Sequence, residues 1–399
     1  MHDTQKVVKL AHEMKEQLIK DRRTIHRHPE LAYHEEKTSA YIQKRLDELG
    51  IEYRTGCAKT GVVGLIRGKK GDGATIMLRA DMDALPILEQ NDVEYKSEID
   101  GRMHACGHDS HVTMLLGAAK VLKAMENEFC GNVKLMFQPA EEGTGGAEPM
   151  IKEGLLENPK VDAAIGLHVE PTYESGKIAV KSGALMASPD GFKITVRGKG
   201  GHGAYPHNTI DPVLTAAKII EGLQSINSRN IDATIPSVVS VCSISGGEFY
   251  NVIPDEVVMN GTTRAFDMET RKELFDRIEQ IANGICAAMG AICTCDFTYF
   301  YPPLINNEQM TQLVREGAAE AIGADNVIEL KKPFMGGEDF SYVANSVDAA
   351  FFYLGCRNEE KGCVNPWHSA NFNIDEDCLP VGVSVMANCA LTYLDKHSK

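Results

Sequence analysis

Ligand-type side chains gather at a few places in this chain. The apolar run Thr75–Leu78 leads into Arg79-Ala80-Asp81-Met82-Asp83, Val133–Phe137 leads into Gln138-Pro139-Ala140-Glu141-Glu142-Gly143, and Ala163–Leu167 leads into His168. In an open parallel sheet, functional groups sit beyond the carboxyl ends of the strands, so three such runs would deliver their clusters to one crevice. A fourth cluster, His104-Ala105-Cys106-Gly107-His108-Asp109-Ser110-His111, stands before a helical pattern. Its Cys-x-His spacing lets a thiolate and an imidazole bind one ion or a close pair, with Gly107 leaving room for a tight backbone. His368, in a late loop Asn365-Pro366-Trp367-His368-Ser369, is a fifth candidate. Soft sulfur mixed with imidazoles and carboxylates suits zinc, manganese, cobalt or nickel better than magnesium or calcium. The Glu141-Glu142 pair precedes Gly143-Thr144-Gly145-Gly146 and so lies off any helix face. That glycine run lacks a following Lys-Ser/Thr and is not a nucleotide loop.

These groups need a scaffold, and the hydrophobic spacing describes one. Residues 4–50 carry apolar positions at helical spacing, including Val7, Leu10, Met14, Leu18, Ile42 and Leu46. Strand-like runs then alternate with helical patterns, among them a helix over His111–Met125, which predicts βαβ units and a largely parallel sheet. The register changes near residue 185. Phe192, Ile194 and Val196 alternate with polar residues, a helix follows over Asp211–Gln224, then strands over Ser237–Ile244 and Val257–Thr263, a helix over Thr270–Met289 and a strand over Ile292–Tyr299. That order, β-α-β-β-α-β, is the pattern of a ferredoxin-like sandwich. After Pro302-Pro303 the α/β pattern resumes. The expected fold class is α/β: a largely parallel-sheet catalytic domain over residues 1–184 and 298–399, interrupted by an inserted α+β ferredoxin-like domain over 185–297.

Composition narrows the partners. The 399 residues carry 41 Lys+Arg against 56 Asp+Glu, a net charge of −15, which disfavours a nucleic-acid partner because a phosphate backbone needs a basic face. Hydrophobic content of 43% with 24% charged residues fits an ordinary globular chain. No apolar run in the sequence approaches the ~20 residues of a membrane span, so no membrane is expected. The charged, amphipathic N-terminus lacks the pattern of a signal peptide, giving a cytoplasmic expectation. Eleven scattered cysteines fit free thiols in a reducing compartment.

The strings RADMDALP (79–86), HACGHDSH (104–111), PAEEG (139–143), GLH (166–168), GKGGHGAYPH (198–207), GGEFYNVIPD (246–255), GTTR (261–264) and GGEDF (336–340), with His368, together resemble the aminoacylase/carboxypeptidase family of dimetal amidohydrolases. The nearest branch is the N-acyl-L-amino-acid amidohydrolases, which include hippurate hydrolases, auxin-conjugate hydrolases and N-acetyl-diaminopimelate deacetylases. The resemblance spans nearly the whole chain. It implies that Cys106, His108, Glu142, His168 and His368 ligate two divalent ions per subunit, zinc or manganese foremost, cobalt or nickel as alternatives. It makes Glu141 the general acid/base and Asp83 the carboxylate that orients a ligand. It makes the inserted domain a dimerisation and lid module of a homodimer, whose His202 reaches the partner's active site to stabilise the oxyanion. Asn251 and Arg264 match positions that hold the substrate's amide and carboxylate, and Gly337, in the tight loop beside the site, borders the substrate. Many relatives read His-x-Asp where this chain has Asp81-Met82-Asp83, and an Asp where it has the Cys106/His108 cluster; its branch shares both changes.

The expected activity is metal-assisted hydrolysis of an N-acyl amino acid, with a metal-activated water and Glu141 carrying its proton. N-acetyl-diaminopimelate deacetylation and dipeptide cleavage use the same chemistry with a different pocket, for which Met186, Phe334 and Phe340 are candidate linings. A non-catalytic metal-binding protein is the reading from another class; Glu141 counts against it, because a structural site saturates its ligands and has no use for a spare carboxylate. A Cys106 nucleophile is disfavoured, since a metal-bound thiolate is not free to attack.

Overall fold

The computed structural model describes residues 2–398. The chain divides into two units: one formed by Met1–Gly183, Ile305–Lys332 and Asp339–Lys399, the other by Ala184–Leu304 and Pro333–Glu338.

The first unit is built on an eight-stranded sheet. Its strand order is Glu52–Cys57, Gly61–Arg67, Asn132–Gln138, Thr75–Asp81, Ala163–Glu174, Asp348–Arg357, Ile178–Val180 and Val327–Glu329. The four strands in the middle run parallel, with Asp81 opposite Gln138, Arg79 opposite Gly166 and His168 opposite Tyr353. Their carboxyl ends therefore lie along one edge. Gly61–Arg67 joins antiparallel on one flank. Every residue of Thr75–Asp81 is buried, as expected of a strand covered on both faces.

Three local differences from the sequence reading shape the site. The helical stretch 4–50 is three helices, Thr4–Glu13, Lys15–His26 and Glu36–Leu49, not one run. Pro29 cannot donate to a helix and biases His28 toward extended backbone, so the chain leaves the helix and crosses the surface as a strap before Glu36. The helix after the Cys106 cluster begins at His108, because Gly107 takes φ +88° and turns the chain into it. A Cβ on Gly107 would lie 2.5 Å from Val169 Cγ2, so the position also requires glycine for space. Finally, the strand read as Ala163–Leu167 continues to Glu174, placing His168 within it rather than beyond its end.

The C-terminal stretch Glu376–Lys396 is long and apolar enough to span a bilayer by length and composition, contrary to the sequence expectation. Here it is a core helix: Leu379, Val383, Met386, Ala390 and Leu394 are buried, and it packs on the helices His108–Ala124, Glu308–Ile322 and Thr4–Glu13.

The second unit follows the order strand Gly191–Arg197, helix Pro212–Leu223, strands Val238–Ser245 and Glu256–Arg264, helix Met268–Met289, strand Ile292–Thr298. The four strands form one antiparallel sheet in the order Val238–Ser245, Glu256–Arg264, Gly191–Arg197, Ile292–Thr298. Ile194, Val196, Val257 and Met259 on the sheet and Ala216, Ile219, Leu274 and Ile278 on the helices form its core. Buried Asp190 ties the ends of the unit together, accepting from Arg271 Nη2 at 2.6 Å and Phe300 N at 2.9 Å. The stretch 333–338, inside the 298–399 segment, groups with this unit because Ala187 N donates to Phe334 O and Gly336 O, and Phe334 N to Leu185 O.

Candidate metal centre

The parallel strands and the turn at Gly107 bring six ligand-type residues into three overlapping groups in the first unit. Cys106, His108 and His168 form one, Cys106, Glu142 and His368 a second, and His108, Glu141 and Glu142 a third; within each, the ligand atoms lie within 4.8 Å of one another. Cys106, His108 and Glu142 each belong to two groups, so the arrangement suits a pair of neighbouring ions that share ligands. Cys106 Sγ and His168 Nε2 are 3.3 Å apart. His368 Nε2 lies 3.1 Å from Glu142 Oε1 but outside hydrogen-bond geometry.

Each buried imidazole is held in one orientation. His168 Nδ1 donates to Val169 O at 2.7 Å, which leaves Nε2 with its lone pair toward Cys106. His108 Nδ1 faces Asp83 Oδ1 at 3.3 Å, and its Nε2 is buried with no hydrogen-bond partner. An outer acceptor on one ring nitrogen is how proteins aim the other at a metal. Glu142 Oε1 is likewise buried without a hydrogen-bond partner. Two orphaned buried atoms pointing into a group of thiol, imidazole and carboxylate fit a divalent cation, since buried polar atoms are otherwise satisfied.

The electrostatics agree. Burial opposes a charge on His108, yet Asp81, Asp83 and Glu142 outweigh it and push its pKa up to about 10. Burial also pushes the Cys106 thiol well above its usual value, and Glu142, Glu141 and Asp81 add to the effect. His168 is pushed the other way, well below its ordinary value, by burial and then by His111. The site thus holds more carboxylate than positive charge, and a cation is what would let Cys106 ionise.

Asp83 acts at the centre of the backbone here. It accepts from Glu141 N at 3.1 Å and Glu142 N at 2.9 Å while facing His108, so one carboxylate fixes both the acid pair and a candidate ligand. Asp81, whose role the sequence left open, faces away from that job. Its Oδ1 takes His111 Nδ1 at 2.6 Å and its Oδ2 takes Arg79 Nη1 at 2.8 Å. His111 Nε2 in turn accepts from Val169 N at 3.0 Å. Both oxygens of Asp81 and both nitrogens of His111 are hydrogen-bonded and brace the strand at His168, while their ligand atoms also lie within 4.8 Å of one of His108's. Arg79, fully buried, continues the chain to Gln138 and Asp339, and Asp339 Oδ2 holds Gly146 N and Ala147 N at the end of the glycine loop. Sequence reasoning missed the Arg79–Asp339 link; its only signal was an Asp next to a Gly-Gly turn.

The remaining sequence candidates lie in the second unit. His202 is exposed, pairs with Val252 in a two-residue ladder, and accepts from Ala204 N at Nδ1, so its Nε2 carries the hydrogen. Asn251 is exposed, and its carbonyl accepts from Gly203 N. Arg264 donates from Nε to Met335 O at 3.0 Å and from Nη1 to Thr263 O at 2.7 Å. Gly337 is needed for packing: a Cβ there would lie 2.4 Å from Pro189 Cγ. Phe340, read as pocket lining, is instead fully buried in the first unit with its ring centroid 5.4 Å from that of Phe351.

A family model described as peptidase family M20/M25/M40 matches residues 77–392. The chain is 43% identical over 397 residues to thermostable carboxypeptidase 2 of Saccharolobus solfataricus, covering 98% of this chain and 99% of that one. It is 41% identical over 377 residues to IAA-amino acid hydrolase ILR1-like 4 of Arabidopsis thaliana, covering 94% and 84%. Among solved structures, the Bacillus subtilis YXEP protein, described as a dinuclear metal binding peptidase from M20 family, superposes with a TM-score of 0.84 at 35% identity, covering 96% of this chain and 99% of that chain.

Proposed function

This chain belongs to peptidase family M20/M25/M40 and is a metal-dependent hydrolase of amide and peptide bonds, and we propose that its reaction is the release of a free L-amino acid from an N-acyl-L-amino acid. The observation that carries this reading is the pairing of Glu142, a member of the ligand groups, with Glu141 beside it on the same Asp83-held turn. Two divalent ions, zinc or manganese, would be held by Cys106, His108, Glu142, His168 and His368. Bound there, such ions supply Lewis acidity, lowering the pKa of a water and polarising the scissile carbonyl. Glu141 takes the proton of the attacking water and passes it to the leaving nitrogen, so the amino acid departs as a neutral amine and not as an amide anion. Asp83 keeps Glu141 and Glu142 in place throughout.

Recognition falls to the second unit, which we read as a ferredoxin-like lid and dimerisation module of a homodimer. His202 of a partner subunit presents its Nε2–H to the charge growing on the carbonyl oxygen. Asn251 meets the amide, Arg264 meets the α-carboxylate, and the Gly337 backbone borders the substrate. The relatives' names, a carboxypeptidase and an IAA-amino acid hydrolase, support the same bond class: an amide whose nitrogen belongs to an amino acid with a free carboxylate.

The test is hydrolysis of a panel of N-acetyl, N-benzoyl and N-lauroyl amino acids, dipeptides and N-acetyl-diaminopimelate by chelated enzyme reloaded with each metal in turn. Turnover of N-acyl amino acids is expected, and Glu141→Gln should cost about 10²–10⁴ in kcat with metal content unchanged. Full activity of Glu141→Gln with metals bound, or no preference for a free carboxylate, would overturn the assignment of Glu141 or Arg264 respectively.

A further inference from the structure

We propose that Glu35, a fully buried acid on the N-terminal strap, is a positioning residue that holds Ala140 in a left-handed conformation and thereby aims Glu141 and Glu142 at the metal centre. Ala140, the residue immediately before the acid pair, has φ +60°, a region that residues with a Cβ adopt only when their surroundings impose it. Its N–H donates to Glu35 Oε1 at 2.9 Å. Together with the two bonds to Asp83, three successive amides, Ala140, Glu141 and Glu142, are each captured by a carboxylate. The corner is therefore over-determined from two directions, one acid arriving from the strap and one from the Asp81-Met82-Asp83 loop.

Glu35 is itself locked. Thr60 Oγ1 donates to its Oε2 at 2.6 Å and Tyr33 N to its Oε1 at 3.0 Å, and the residue is 0% exposed. The strap around it touches the same two loops. Ala84 N donates to Glu30 O at 2.8 Å, and Tyr33 Oη donates to Gly145 O at 2.6 Å. An ideal Cβ on Gly143 would lie 2.7 Å from Ala32 Cβ, so the glycine loop fits under the strap only without a side chain there. The contacts of Glu30, Ala32 and Tyr33 Oη all end on the two loops that carry the acids.

The inference rests on the proposed metal-hydrolase reading, and its readout is metal affinity, so the two fail separately. A protein that takes up two zinc ions normally and cleaves nothing in the panel overturns that reading without touching this one. The full-length protein is stripped with a chelator and titrated with zinc against a competing chelator, alongside steady-state kinetics and melting curves. Glu35→Ala is expected to weaken binding of the ion that uses Glu142 by about 10–100-fold, the range for lost outer-shell support. It should lower kcat by a similar factor while KM stays within about 2-fold, because the acid pair and not the substrate contacts is displaced. In an Ala140→Gly background the same change should cost less than about 3-fold, since glycine occupies φ near +60° unaided. Glu35→Gln keeps one neutral acceptor, and Thr60→Val frees the carboxylate to turn; each should weaken zinc binding by about 3-fold, a milder loss of the same outer-shell support. These two carry the test if Glu35→Ala does not fold. A lower melting temperature with unchanged zinc affinity and kcat, an undiminished Glu35→Ala effect in the Ala140→Gly background, or no change in both milder variants would overturn the proposal.

Discussion

Asp81→Asn is the most revealing single change, because Asp81 neutralises Arg79 and orients His111 at once. The carboxylate is fully buried and accepts from His111 Nδ1 at 2.6 Å and from Arg79 Nη1 at 2.8 Å. Asparagine offers one acceptor and one donor where two donors converge, so one bond is retained in neutral form and the other becomes a donor–donor clash. A hydrogen bond to a charged group is worth about 1.5–3 kcal/mol. One such bond lost, a second weakened and Arg79 left half-neutralised beside Asp339 give a cost of about 3–5 kcal/mol, the range for breaking a buried ion pair from one side. At ~2 °C per kcal/mol for a unit of this size, the melting transition of the first unit should fall by about 6–10 °C.

The pH dependence supplies a second check with a fixed sign. Burial raises the Asp81 carboxyl, but Arg79, then His108 and His111, hold it well below the usual carboxylate range. A folded-state pKa lowered in this way adds stability that is fully present above the unfolded value of ~4 and is lost as pH falls through the folded one. The gap between wild type and Asp81→Asn should therefore be widest at about pH 5 and above and close as the medium becomes strongly acid. Calorimetry of chelated protein at several pH values measures both quantities. A loss under about 1 kcal/mol at pH 7, or a gap that ignores pH, would refute the reasoning, because it would mean the retained bonds in this network carry no net charge-assisted energy.

Other outcomes follow from the same contacts. Mixed dimers of His202→Ala and Glu141→Gln should regain activity that neither parent shows, and their failure to do so would remove the partner role of His202. Lys134 is buried and donates to the carbonyls of Leu155, Glu157 and Pro159 at 2.8 Å each, so Lys134→Met, which leaves three acceptors unpaired, should cost about 3 kcal/mol by calorimetry at ~1 kcal/mol per bond. Zinc binding to chelated protein at about pH 7.5 should release protons from Cys106 and His108, with His368, raised by Glu142, adding to them, read from titration calorimetry in buffers of different ionisation enthalpy; His168, already pushed down, should release none. The His368 side chain is 54% exposed, unlike the buried Cys106, His108 and His168, so chelator should remove the ion it shares first, and His368→Ala should leave one tightly held equivalent.

Much of the site is legible in the sequence, and the reason is local. Apolar runs ending at Leu78 and Phe137 announce strands whose next residues must lie at the sheet's edge, which is enough to unite the Asp81–Asp83 and Glu141–Glu142 clusters. His168 falls inside its strand because Val169 continues the apolar pattern and the strand runs on through Pro171 to end only before Ser175-Gly176. Glu35 is hidden: His34-Glu35-Glu36-Lys37 reads as the solvated start of a helix, and only the strap's path across Ala140 buries it. Lys134 hides for the opposite reason, a charge inside an apolar strand that is satisfied by carbonyls 21 to 25 residues away in sequence. Asp81 and His111 stand out as residue types, but their partners come from three different elements, and residue type alone cannot apportion acids between bracing and binding.

That apportioning follows a physical rule in this fold. Asp83 takes two backbone amides, Glu35 takes two more and a hydroxyl, Asp339 takes two and a guanidinium, and Asp81 takes a guanidinium and an imidazole. Each of these acids is buried with rigid donors replacing the water it loses. Glu142 differs: its Oε1 is enclosed with no hydrogen-bond partner, beside a His108 nitrogen in the same condition. Other buried carboxylate oxygens, Asp109 Oδ1 and Glu170 Oε2, also lack a hydrogen-bond partner, but only Glu142 Oε1 does so within a group of ligand atoms from thiol, imidazole and carboxylate. The bracing acids are thus recognised by the donors they already have, and the binding acid by the donor it lacks.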